Sequence, residues 1–76
     1  MNKDDKKELL IKFGGNLRKL RLEKGFTQEQ LANELGVEVS QISRIERGLI
    51  NTSVVMLYSI SKILNTPESK FFEINQ

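Results

Sequence analysis

The chain has 76 residues, with one proline, no cysteine and no histidine, and 12 Lys and Arg against 10 Asp and Glu give a net charge of +2. That length makes a single domain, and the missing Cys and His exclude disulfide staples and the usual zinc sites. No apolar run approaches the ~20 residues that span a bilayer, and Met1 to Lys12 is too charged for a signal peptide, so a soluble, cytoplasmic protein is expected.

The apolar spacing predicts helices joined by short turns, with no strand-like alternation. The first helix runs from about Asp5 to Lys24, with Leu9, Phe13, Leu17 and Leu20 forming one stripe. Gly14 and Gly15 interrupt that stripe at about 1 kcal/mol each relative to Ala, which leaves open a start near Asn16. Residues 1–12 then form an N-terminal arm or a helix extension, and residues 13–76 the domain proper. Thr27 and Gln30 make a T-x-x-Q capping box for a second helix, Gln28 to Leu35. Gly36 ends it, and Gly36-Val37-Glu38 leads into a third helix, about Val39 to Arg47, stopped by Gly48. A fourth helix, about Ser53 to Leu64, points Leu57, Ile60, Ile63 and Leu64 inward, with Val54 or Met56 completing the face. A short fifth helix, Pro67 to Glu73, takes Thr66 as its cap and Pro67 at its first position.

Thr27 to Gly48 carries the functional signal. Two short helices joined by a three-residue turn containing glycine make a helix-turn-helix. Ala32 permits close crossing, Gly36 lets the chain turn with positive φ, and Val37 fills the angle. Ile42 and Ile45 pin the third helix to the core. Val39, Ser40, Ser43, Arg44 and Arg47 are left facing outward.

Leu17-Arg18-Lys19-Leu20-Arg21, T-Q-E-Q-L-A, Gly36-Val37 and I-S-R-I-E-R-G together resemble the phage-repressor/Cro family, the xenobiotic-response-element-like helix-turn-helix regulators. The likeness runs from about Leu17 to Phe72. The small size resembles the controller proteins of restriction–modification systems. The resemblance implies an all-α, five-helix, lambda-repressor-like bundle that binds a pseudo-palindromic operator as a homodimer. Each third helix would enter the major groove, with half-sites about one helical turn apart. Gln28 matches a phosphate-contacting position, and Asn51 to Ser53 a second backbone clamp. Val39, Ser40 and Arg44 match base-facing positions. Arg21 and Glu46 match a buried ion pair. Arg18, Lys19 and Arg47 are further phosphate candidates. Glu38 departs from the Ser or Thr usual before the third helix, and a carboxylate there repels phosphate, so it is not counted as a base reader.

Residues 1–24 carry a net charge of +4 and residues 25–50 a net charge of −2, so phosphate neutralisation falls partly to the first helix or to backbone N–H groups. Phe71, Phe72 and Ile74 are too apolar for a free C-terminal segment. One Phe is expected to close the core, and the other, with Ile74, to make a two-fold dimer contact. Ser59-x-x-Lys62 matches the S-x-x-K spacing of some acyl-transfer enzymes, but it sits on a bundle helix without partner motifs. No enzyme, cofactor, metal, membrane or small-molecule ligand is expected. The competing function is an antitoxin-like module that binds DNA chiefly in complex with a protein partner.

Overall fold

The computed structural model describes residues 1–73. It contains four α-helices, α1 (Lys3–Glu23), α2 (Gln28–Leu35), α3 (Val39–Glu46) and α4 (Val54–Leu64), and a 3-10 turn at Glu68–Phe72. No strand occurs among the described residues. The expected fifth helix is thus a single 3-10 turn. Pro67 precedes it with ψ 144°, outside the helical region, and no side chain caps it. Thr66, expected as its cap, instead donates its hydroxyl back to the Leu64 carbonyl at 3.0 Å.

α1 is continuous through its two glycines. Asn2 caps it, its Oδ1 accepting from the Asp5 N–H at 2.9 Å, and residues 3–12 form its first turns. The glycines that argued for a later start have different surroundings. A Cβ on Gly14 would land on the Ile45 carbonyl oxygen and 2.6 Å from that of Glu46, whereas one on Gly15 would meet nothing within 4 Å. Gly14 is therefore where the α1 backbone touches the end of α3. Packing contacts of this kind outweigh the intrinsic helix cost of a glycine.

α2 begins at the reciprocal capping box. Thr27 Oγ1 accepts from the Gln30 N–H at 3.0 Å, and Gln30 Oε1 accepts from the Thr27 N–H at 2.9 Å. Gly36 ends the helix at φ 70°, a left-handed conformation that costs glycine no Cβ clash. α4 is capped by Ser53, whose Oγ accepts from Met56 N–H at 3.0 Å, and it closes on Asn65 at φ 50°.

The core lies where α1, α2, α3 and α4 meet. Phe13, Leu17, Leu31, Ala32, Ile42, Ile45, Ile60, Leu64 and Phe71 are buried, with Phe26, Val37, Met56 and Leu57 packed against them. Met56, not Val54, completes the inner face of α4, since Val54 is fully outward. Phe71 is 0% exposed and stacks at a tilt on Phe13, centroids 5.7 Å apart. It belongs to the core, and its burial within the monomer corrects its place among the dimer contacts. Asn16 holds this closure from α1. Its buried amide donates to the Phe71 carbonyl at 2.9 Å and to the Glu73 carbonyl at 2.8 Å.

Candidate nucleic-acid interface

α3 is built to hold one face inward and leave the other bare. Ile42 and Ile45 are 0% and 1% exposed, and Glu46 completes the buried side. At 100° per residue the opposite side carries Ser40, Arg44 and Arg47. All three are exposed, Val39 is exposed in the first turn, and Ser43 is half-buried on the flank. Arg47 Nε donates to the Ser43 carbonyl at 3.3 Å, folding that side chain along the helix. Glu38 precedes α3 without any side-chain capping bond.

Two helix N-termini flank this face in sequence. The first N–H groups of a helix have no intrahelical acceptor and attract anions. At α2 these belong to Gln28 and Glu29, because Thr27 satisfies the next one. At α4 they belong to Val54 and Val55, behind Asn51 and the Ser53 cap. Asn51 and Ser53 are both exposed.

Beneath the face lies a buried charge pair. Arg21 Nε donates to Glu46 Oε2 at 2.6 Å and Arg21 Nη2 to Glu46 Oε1 at 3.1 Å. The two side chains are only 6% and 2% exposed. Arg21 Nη1 also donates to the Phe26 carbonyl at 2.8 Å. Gln28 Nε2 joins the cluster, donating to Glu46 Oε1 at 2.9 Å. That last bond spans 18 residues between two helices, and no periodicity in the sequence signals it.

The basic residues of α1 separate. Arg18 is exposed and sits about 60° round the helix from Arg21, on the same side. Lys19 sits about 160° from Arg21 and lines a groove with Asn65, Thr66, Pro67 and Lys70. Lys19 therefore faces the C-terminal turn rather than α3, apart from the other phosphate candidates. Of the expected dimer residues, Phe72 is 43% exposed, its ring 5.5 Å from that of Phe13. Ile74 lies outside the described residues. Ser59 Oγ donates to the Val55 carbonyl at 2.9 Å, and the Lys62 ammonium sits 5.2 Å over the Tyr58 ring. Neither is arranged as a nucleophile and its base.

A compact helical bundle with a pinned, polar-faced third helix and a glycine-ended second helix is a helix-turn-helix protein. The chain belongs to the helix-turn-helix family HTH_3, whose model matches residues 17–71. It is 38% identical over 72 residues to an uncharacterised HTH-type transcriptional regulator of Sinorhizobium medicae, covering 95% of this chain and 52% of that protein. The chain thus spans about half the length of that protein and of a Rhizobium meliloti regulator it also matches. Among solved structures it is similar to the restriction–modification controller protein C.AhdI from Aeromonas hydrophila. The TM-score is 0.78 and the identity 38%, over 83% of this chain and 96% of that one. It is also similar to the controller protein C.Esp1396I, solved as a tetramer in complex with its natural 35 base-pair operator. There the TM-score is 0.72 and the identity 41%, over 84% of each chain. No helix among the described residues is long and apolar enough to cross a membrane.

Proposed function

We propose that this protein is a sequence-specific, DNA-binding transcriptional regulator that acts as a homodimer in the cytoplasm, and not an enzyme. The observation that carries the reading is the bare face of α3, held outward by Ile42 and Ile45. Val39, Ser40, Ser43 and Arg44 read base edges from it. Gln28 and the α2 N-terminus grip the backbone on one side, and Asn51, Ser53 and the α4 N-terminus on the other. Arg18 and Arg47 add charge. The operator-bound state of the similar C.Esp1396I supports the same mode of action here. In vitro selection from a random duplex pool tests this reading. Recovery of a pseudo-palindromic site supports it, and recovery of no sequence preference sinks it.

Arg44 reaches guanine with two donors, a pairing that discriminates by about 1–3 kcal/mol. Arg44→Ala is expected to leave thermal stability unchanged, because the side chain is exposed. It should relax preference at one base of each half-site, as read by repeating the selection. Unaltered preference would remove Arg44 from the reading set.

The dimer forms on the apolar side of the molecule. Phe72 borders a hollow lined by Leu9, Leu10, Phe13, Val54 and Leu57. Val54, Val55 and Tyr58 are 82%, 74% and 54% exposed beside it. Thr52, in the same wall, carries a buried hydroxyl with no hydrogen bond among the described residues. Contiguous exposed apolar surface of this kind marks an association site. Phe72→Lys is expected to shift the chain from dimer to monomer in sedimentation equilibrium while the helical CD signal persists. A dimer of unchanged strength would place the interface elsewhere.

A further inference from the structure

We infer that Glu46 is a positioning residue for the DNA backbone contact, fixing the Gln28 side-chain amide and so tying the first residue of α2 to the last residue of α3. The inference rests on the reading of Gln28 as a backbone contact. Glu46 Oε1 accepts from both Gln28 Nε2 at 2.9 Å and Arg21 Nη2 at 3.1 Å, while Oε2 accepts from Arg21 Nε at 2.6 Å. A carboxylate has no proton to offer, so the end of the Gln28 amide facing it is the NH2 group. One of its two N–H bonds goes to Glu46, and the other remains for an acceptor at the start of α2. A phosphate oxygen drawn to the unpaired backbone N–H groups of Gln28 and Glu29 would supply that acceptor.

Arg21 in turn fixes Glu46. It holds both carboxylate oxygens and is itself anchored on the Phe26 carbonyl, two residues before Gln28. The carboxylate therefore cannot rotate away from the amide without breaking a buried ion pair. The bond to Glu46 thus restrains the Gln28 side chain before DNA arrives. Immobilising a long side chain at the moment of binding otherwise costs roughly 2- to 12-fold in affinity. Glu46 also lies two residues beyond Arg44. The backbone contact and the base-reading helix are thus referred to the same buried carboxylate.

The test uses the full chain and the duplex returned by selection, carrying single methylphosphonate substitutions at successive positions. In the unaltered protein one position per half-site should weaken binding, and Gln28→Ala should reduce that sensitivity to the share left by the backbone N–H groups. If no position depends on Gln28, the backbone-contact reading fails and the inference falls with it. Two variants then address Glu46. Glu46→Asp keeps a charge near Arg21 but withdraws the carboxylate from Gln28. Arg21→Met/Glu46→Leu replaces the ion pair with an apolar one and releases the amide, which guards against a failure of the first variant to fold. Each is expected to bind the unmodified duplex roughly 2- to 12-fold more weakly, to show a reduced sensitivity at the Gln28 position, and to keep the base preference assigned to Arg44. A folded variant that retains the full methylphosphonate effect at that position overturns the inference, whatever its melting temperature.

Discussion

Arg21→Ala should unfold this domain at temperatures where the unaltered protein is stable. The substitution leaves the Glu46 carboxylate, 2% exposed, without its cation. Breaking a buried pair by removing one partner costs about 3–5 kcal/mol. Domains are stable by roughly 0.05–0.15 kcal/mol per residue, so a chain of 76 residues has little to spare. Thermal denaturation followed by CD should show a fall in Tm of at least ~10 °C at about 4–8 °C per kcal/mol for a domain of this size. Replacing both partners together, as Arg21→Met/Glu46→Leu, should recover most of the loss, because apolar pairs of similar volume are often neutral or stabilising. An Arg21→Ala protein melting within a few degrees of the original would show that Glu46 is satisfied without the pair.

The second large effect separates two adjacent glycines. Gly14→Ala places a methyl group against the Ile45 and Glu46 carbonyls. Both belong to backbone, so relief requires α1 and α3 to move apart. Overpacking of this sort costs about 1–3 kcal/mol, opposed by a gain of about 1 kcal/mol in helix propensity. The approach is too close for that gain to win, and a net loss is expected. Gly15→Ala meets open space and should stabilise by up to about 1 kcal/mol. Urea denaturation of the two variants should therefore give midpoints on opposite sides of the original. Gly14→Ala should also weaken DNA binding beyond its effect on folding, since the displaced element is the reading helix. Equal shifts in the two midpoints would refute the account of Gly14 as a contact point.

These two residues also mark where sequence reasoning reached its limit. The bounds of α2 followed from local chemistry, because a Thr27–Gln30 box and a Gly36 end act within a few residues of themselves. The inward turn of Ile42 and Ile45 followed from helical period. Gly14 did not, because its reason is the α3 backbone, more than thirty residues away. In sequence alone it has the character of a helix break. Thr66 and Pro67 carry the residue types of a helix start, yet a 3-10 turn follows them, because the Thr66 hydroxyl is engaged with Leu64 instead. Asn16, next to the two glycines, reads in sequence as a possible helix start. Its role in holding the Phe71 and Glu73 carbonyls depends on contacts across 55 and 57 residues. Lys19 and Arg18 share the basic stretch of the first helix, and only the angular position on α1 parts them. The pairing of Arg21 with Glu46 was expected from family resemblance, not from spacing, and nothing local pointed to Gln28 as its third member.

The dependence of α2 and α3 on α1 limits how this recognition unit can be engineered. Each of the two helices has only eight residues, below the ~12–15 needed for an isolated helix to persist in water. Residues 27–48 excised as a peptide would lose the Gly14 seat and the Arg21 anchor together and should be unstructured. The motif is not portable. Retargeting it calls for regrafting the outward side chains of α3 onto the intact scaffold, with Glu46, Arg21 and both isoleucines left untouched.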